Sequence, residues 1–211
     1  MTSIRHPNVA GMFYPADAQA LKDAVSSYVR AAKVVRAPAP KAIVSPHAGY
    51  VYSGPVAGSA YAQLTRHAQN ISRVILFGPS HRVPFRGLAY SEADSFLTPL
   101  GAVAVDRGAY QAVAELPQVH AFETPFEGEH CLEVQLPFLQ LVLSSFRIVP
   151  LLVGEATTEE VAEVVERLWG GDETLIVISS DLSHYLDYES AREIDAATSR
   201  AIEALRPQDI T

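Results

Sequence analysis

The sequence predicts an α/β layered domain, a sheet covered by helices on both faces. Three observations carry that prediction. Short, continuously apolar runs occur at 42–45, 73–77 and 174–178, as expected of buried strands. Between them lie segments whose apolar residues recur at helical spacing. Each of the three runs hands over to a loop that ends in histidine: His47, His81 and His184. Ligands of open α/β sheets bind outside the carboxyl ends of strands, so these loops are where a site is expected.

Taken in order, residues 5–15 form an irregular lead-in broken by Pro7, Gly11 and Pro15. Asp17 opens a helix whose face is Leu21, Ala24, Val25, Tyr28, Val29 and Ala32. After the 42–45 strand and the His47 turn, residues 54–66 suit a helix of small residues packed closely on a sheet. Residues 73–77 are the second strand. Residues 87–90 and 102–105 are shorter strand candidates separated by the connector 95–99, and 107–115 reads as a helix ended by Pro117. The segment 129–143 has leucines at helical spacing, but Pro137 removes an amide donor inside it. Residues 147–153 form a strand in which Pro150 favours an edge or irregular position. Thr157 with Glu160 makes a capping box for a helix ended by Gly170. After the 174–178 strand, Ser190 with Glu193 caps a last helix, stopped by Pro207. At 211 residues, one substantial domain over 1–211 is expected.

Composition excludes several functions. The chain is 48% hydrophobic and has 16 basic against 24 acidic residues, a net charge of −8, with no basic run. Nucleic acid and anionic membranes are therefore not expected partners. No apolar stretch approaches the ~20 residues needed to span a bilayer, and the first residues lack the apolar core of a secretory signal. A single cysteine, Cys131, forms no internal disulfide, so a cytoplasmic protein is expected.

Imidazole is a frequent ligand of zinc, copper and iron, and three histidines at three strand ends point to a shared metal site drawing on at least two of His47, His81 and His184, the alternative being that each satisfies a loop backbone group. Asp181, three residues before His184, either orients that ring or caps a turn. His130 either joins the same pocket or caps the apolar segment it begins. Tyr50, Tyr52 and Tyr185 flank the histidines and either shape a pocket or pack. Cys131 follows His130 directly, and adjacent side chains diverge, so it reads as a small buried residue and not a nucleophile. His6, His67 and His120, the last in a loop, carry no such surroundings. No glycine-rich phosphate loop occurs.

Five segments together resemble the Memo family, whose prokaryotic members are also called AmmeMemoRadiSam system protein B. They are Arg5-His-Pro-Asn-Val-Ala-Gly-Met-Phe-Tyr-Pro15, Pro46-His-Ala-Gly-Tyr-Val-Tyr-Ser-Gly54, Gly78-Pro-Ser-His81, Glu129-His-Cys-Leu-Glu-Val-Gln-Leu-Pro137 and Ser179-Ser-Asp-Leu-Ser-His184. The resemblance implies a three-layer domain with a mixed central sheet, like that of class III extradiol dioxygenases, which use non-haem ferrous iron. By motif, His47 and His81 match the family's metal-binding histidines, and His184 matches a pocket histidine that moves protons, with His130 and Asp181 as further catalytic candidates. The family's remaining ligand is a cysteine C-terminal to the segment matching 205–211, so a C-terminal part is expected to be lacking here. The implied cofactor is a divalent transition metal: iron first, then copper or zinc. The implied function is a metal-dependent, dioxygenase-like oxidoreductase. The alternatives are a peptide- or partner-binding module that keeps the pocket, and a zinc hydrolase in which metal-activated water attacks. AMMECR-like and radical-SAM partners are implied by the resemblance alone.

Overall fold

The structure, a computed structural model, describes residues 3–210. They fall into two compact units that divide after Ser180.

The first unit is built on a mixed six-stranded sheet flanked by helices. Its strands are β2 (Ala42–Ser45), β3 (Arg73–Pro79), β4 (Leu88–Tyr90), β7 (Val119–Ala121), β8 (Arg147–Val153) and β9 (Thr174–Ser179). Their order is β2-β9-β3-β8-β4-β7. The first four neighbours run parallel, β4 is antiparallel to β8, and β7 is parallel to β4. A smaller sheet joins β1 (Ile4–Arg5), β5 (Ser95–Thr98) and β6 (Gly101–Ala104) in the order β1-β5-β6. Strands β3, β8 and β9 sit at the centre: Val74, Ile75, Leu76, Ile148, Val149, Leu151, Leu152 and Val177 are fully buried. That is the pattern of a sheet covered on both faces. Strand β2, also expected to be buried, is instead an edge strand that leaves Val44 exposed.

Helix α1 (Ala18–Ala31) starts at Asp17, whose side chain accepts the Ala20 N–H, and it buries Leu21 and Val25 as its spacing requires. Helix α2 (Tyr50–Ala62) begins four residues before the expected 54, and Pro55 lies inside it. Its small residues serve close approach to α1: a Cβ on Gly58 would lie 2.7 Å from the Tyr28 backbone carbonyl carbon. Helix α5 (Thr158–Leu168) has the expected capping box between Thr157 and Glu160.

Several expectations are corrected. The connector 95–99 contains strand β5, which returns on β6 through a tight turn in which Gly101 has φ +119°. The helix expected over 107–115 is only the single turn α3 (Arg107–Tyr110), followed by further turns. His120 lies in strand β7, not a loop, paired with Ala89. Pro137 does not kink a helix: a 3-10 turn (Glu133–Gln135) precedes α4 (Leu136–Val142), which places Pro137 in the first turn, where no amide donor is needed.

Pro150 is not at an edge, since β8 lies between β3 and β4. It is tolerated because β4 pairs only with Leu151, Leu152 and Val153, while Val105 bridges to Ile148 on the same side. Pro150 falls in the gap between them, where no ladder partner asks for its missing N–H.

The second unit, described by itself, is dominated by α6 (Tyr188–Glu203). Its cap is Asp187, whose side chain accepts the Ser190 N–H, so Ser190 is a helix residue and not the cap. Asp195 on this helix accepts the Ser183 N–H at 2.9 Å, tying the preceding loop to it. Among the described residues no helix is long and apolar enough to cross a membrane.

Candidate metal centre

Strands β2 and β3 are separated in the sheet only by β9, and all three run the same way. Their carboxyl ends therefore open on one side, which brings the His47 turn and the His81 loop together. The third contributor is His130, from the segment that leads into the 3-10 turn. His47, His81 and His130 offer ring nitrogens that all lie within 4.8 Å of one another. His81 and His130 stack with ring centroids 4.7 Å apart and an interplanar angle of 21°. His47 stands edge-on to both, at 5.1 and 5.5 Å.

Each ring is held from behind. His47 is buried, and its Nδ1 lies 2.9 Å from the Ser179 hydroxyl. That hydroxyl donates to the Cys131 carbonyl at 2.7 Å and also receives the Gln135 side-chain amide at 2.8 Å. A serine hydroxyl has one hydrogen, and it is used on Cys131, so the His47 contact must run from Nδ1–H to Oγ. His47 then carries its lone pair on Nε2. Gln135 is fixed in turn: its amide also donates to the Pro46 carbonyl, and its oxygen accepts the Tyr61 hydroxyl at 2.9 Å. The His130 ring packs on Phe13 of the lead-in, with centroids 4.5 Å apart.

Glu129 lies against His81. It is buried, and its carboxylate accepts the His81 ring Nδ1–H at 2.9 Å and the His81 backbone N–H at 2.8 Å. Burial pushes this carboxyl up, but the backbone donors of His81 and Cys131, with the His81 ring, outweigh it and hold the pKa at about 2. Glu129 is therefore ionised. Burial, then the nearby Glu129 charge, pushes the Cys131 thiol well up, and its Sγ donates to the Pro79 carbonyl at 3.1 Å. A neutral, fully buried thiol is no nucleophile. His81, Glu129 and Cys131 also form a close cluster. Its carboxylate is engaged by N–H groups and its sulfur is protonated, which makes the three-histidine set the better donor array.

Of the other expected residues, His184 and Asp181 belong to the second unit, where His184 Nε2 lies 3.7 Å from Asp181 Oδ2. Tyr50 is a packing residue: it is buried on Phe138 and donates to the Val134 carbonyl at 2.6 Å. Tyr52 is exposed, and so is Tyr185, which has φ 60°. His120 is exposed on its strand. Sequence reasoning missed Glu129, Ser179 and Gln135. Glu129 had one visible signal, its place beside His130; the other two depend on partners far away in the chain.

Fold and site together define an α/β protein with a histidine-rich candidate metal centre. A family profile described as Memo-like protein matches residues 5–211. A MEMO1 family protein of Archaeoglobus fulgidus is 37% identical over 207 residues, which covers 94% of this chain and 75% of the relative. One of Aquifex aeolicus is 35% identical over 215 residues, covering 98% of this chain and 77% of the relative. One of Thermotoga maritima is 32% identical over 220 residues, covering 96% and 78%. The chain belongs to the Memo family.

Proposed function

We propose that this chain holds a divalent transition metal through His47, His81 and His130 and that the centre serves oxidoreductase chemistry of a dioxygenase-like kind. The supporting observation is the convergence of three imidazoles from three separate segments. The donor chemistry fits: imidazole suits iron, copper and zinc, whereas magnesium and calcium ask for oxygen donors. Iron is the first candidate, then copper or zinc. When bound, the metal would supply Lewis-acid or one-electron chemistry.

The chain's own residues do the rest. Ser179 and Glu129 aim His47 and His81 by accepting hydrogen bonds from their Nδ1–H groups. Burial of His47 keeps bulk water from one side of the centre. The proton-carrying role that the family resemblance gives His184, with Asp181 beside it, is a separable part of the proposal. His184→Gln is expected to lower turnover and leave metal content unchanged.

A second reading, a partner-binding module, draws on the apolar side chains exposed on α2 just after the His47 turn: Val51, Tyr52 and Val56 are 86%, 82% and 61% exposed. Metal analysis of protein purified without oxygen separates the readings. Stoichiometric iron or copper, lost in a His47→Ala His81→Ala double variant, supports the first. Stoichiometric zinc with ester or amide hydrolysis moves the assignment to a zinc hydrolase. No metal at all leaves the partner-binding module.

A further inference from the structure

One buried carboxylate reaches both the His81 and the His130 parts of the centre. Oε2 of Glu129 accepts the His81 backbone N–H at 2.8 Å. Oε1 accepts the His81 ring Nδ1–H at 2.9 Å, the His130 backbone N–H at 2.8 Å and the Cys131 backbone N–H at 3.0 Å. The His130 ring Nδ1 lies 3.4 Å from the same Oε1. Both carboxyl oxygens of Glu129 already accept backbone N–H groups, so in the contact with the His81 ring the ring nitrogen is the donor and carries the proton. That fixes His81 with its proton on Nδ1 and its lone pair on Nε2. The same oxygen clips the His130 backbone against the His81 loop, and the two rings stack with their Nδ1 atoms gathered on it.

We propose that Glu129 is the positioning residue of the metal centre: it selects the His81 tautomer and holds the His81 and His130 rings in register as a pair. The inference rests on the metal-binding reading above. Glutamine at this position has nearly the same shape and carries an amide. Any orientation of that amide sets its NH2 against either the His81 backbone N–H or the group that meets the ring and the His130 and Cys131 amides. When it faces the ring, the stable partner is a His81 with its lone pair on Nδ1 and its proton on Nε2, the wrong tautomer for a donor at Nε2. Aspartate keeps an acceptor-only group with one methylene less reach.

Two measurements test this. Long-range 1H–15N correlation of the histidine rings in the metal-free protein reads the tautomer directly. His81 is expected as the Nδ1–H form in the wild type, with the Nε2–H form rising in Glu129→Gln. Titration with cobalt(II), followed by its visible absorption, reads affinity and geometry. Affinity is expected to fall about 10- to 100-fold in Glu129→Gln, with an altered absorption band, and Glu129→Asp is expected to recover part of it. A wild-type His81 in the Nε2–H form overturns the proposal without any variant, so a Glu129→Gln that fails to fold does not shield it. Equal cobalt affinity and an equal band in folded wild type and Glu129→Gln also overturn it, while leaving the metal-binding reading intact. If the wild type binds no cobalt, iron or copper, the metal-binding reading fails, and the proposal falls with it whatever the tautomer.

Discussion

Glu129 and Glu133 lie one turn apart in the same segment and are equally hidden, at 5% and 6% exposure, yet their carboxyls are driven in opposite directions. Glu129 is held at about 2, because its donors outweigh burial. Glu133 is raised: burial prevails, although Tyr14 Oη at 2.6 Å and the backbone N–H groups of Asn8 and Val9 at 2.6 and 3.0 Å donate to it. The two differ in partners. Glu129 faces the His81 ring, which donates its Nδ1–H, along with backbone N–H groups from both loops of the centre. Glu133 faces a phenol and two amides of the lead-in, all neutral, and the phenol is itself pushed up by burial and by Glu133. One carboxylate is arranged to stay charged beside the candidate metal donors. The other is a clamp that fastens residues 8–14 to the body of the fold.

The largest expected effect comes from removing the clamp. Glu133→Ala strands three donors in a buried place, at about 1–3 kcal/mol for each group left unsatisfied. Because the three share one acceptor, their losses do not add fully, and a total of about 3–4 kcal/mol is expected in urea unfolding. Metal affinity in the folded variant is expected to change far less than in Glu129→Gln. Equal loss of affinity in both variants would erase the distinction between the two carboxylates.

Next in size is Gly78→Ala, which tests whether the Glu129 side links stability to binding. Its Cβ would meet Cys131 Sγ at 2.7 Å and Leu132 Cδ2 at 2.8 Å, wedging the end of β3 away from the segment that holds His130. Overpacking of this kind costs about 1–3 kcal/mol. Metal affinity should fall along with it, because the displaced contact lies between the His81 and His130 loops. A variant that loses stability and keeps full affinity would mean that the loops move together.

The comparison also marks what can be read from the chain. Strands β3 and β9 were legible because a buried strand needs an unbroken apolar run. Strand β2 was read from a similar run although it lies at the sheet edge and buries only Ile43 and Ser45, and histidines just beyond β2 and β3 announced the site. Strand β5 was not, because Ser95–Thr98 buries only alternate residues and draws its order from β1 and β6. For Pro150 the edge alternative failed and the irregular one held, because its tolerance depends on where β4 ends, which is a fact about another segment. His130 stood open between ligand and cap for want of its distance to His47. Glu129 and Ser179 act on rings 48 and 132 positions away, so apart from the place of Glu129 beside His130 nothing local marks them. Helix caps fared unevenly: Thr157 with Glu160 was clear, but at 187–193 an earlier Asp was the better acceptor.

Opposite shifts predict opposite pH dependences, smaller in effect but direct as a test of the two environments. The folded Glu129 pKa lies below its unfolded value, so its stabilisation is present above about pH 4.5 and is lost as pH falls toward about 2. The folded Glu133 pKa lies above its unfolded value. The folded state therefore gains from its proton at low pH, and that gain is lost as pH rises through the folded value. In urea midpoints of the metal-free protein, Glu129→Gln should flatten the acid-side loss and Glu133→Gln the decline with rising pH. Slopes of the same sign for the two carboxyls would contradict the environments described here.

The smallest effect is expected at the far end of the His47 support, where the comparison extends from carboxylates to a neutral network. Tyr61→Phe removes the hydroxyl that donates to Gln135 Oε1 and leaves that buried amide oxygen short of a donor, at a cost of about 1 kcal/mol. Gln135 keeps its bonds to the Pro46 carbonyl and to Ser179, so the proton on His47 Nδ1 should stay where it is. Cobalt affinity should drop by less than in Glu129→Gln, since here the disturbance reaches the metal donor through two intervening groups and no charge is lost. A drop as large as that of Glu129→Gln would mean that the neutral chain Tyr61–Gln135–Ser179 sets the centre as firmly as the buried charge does.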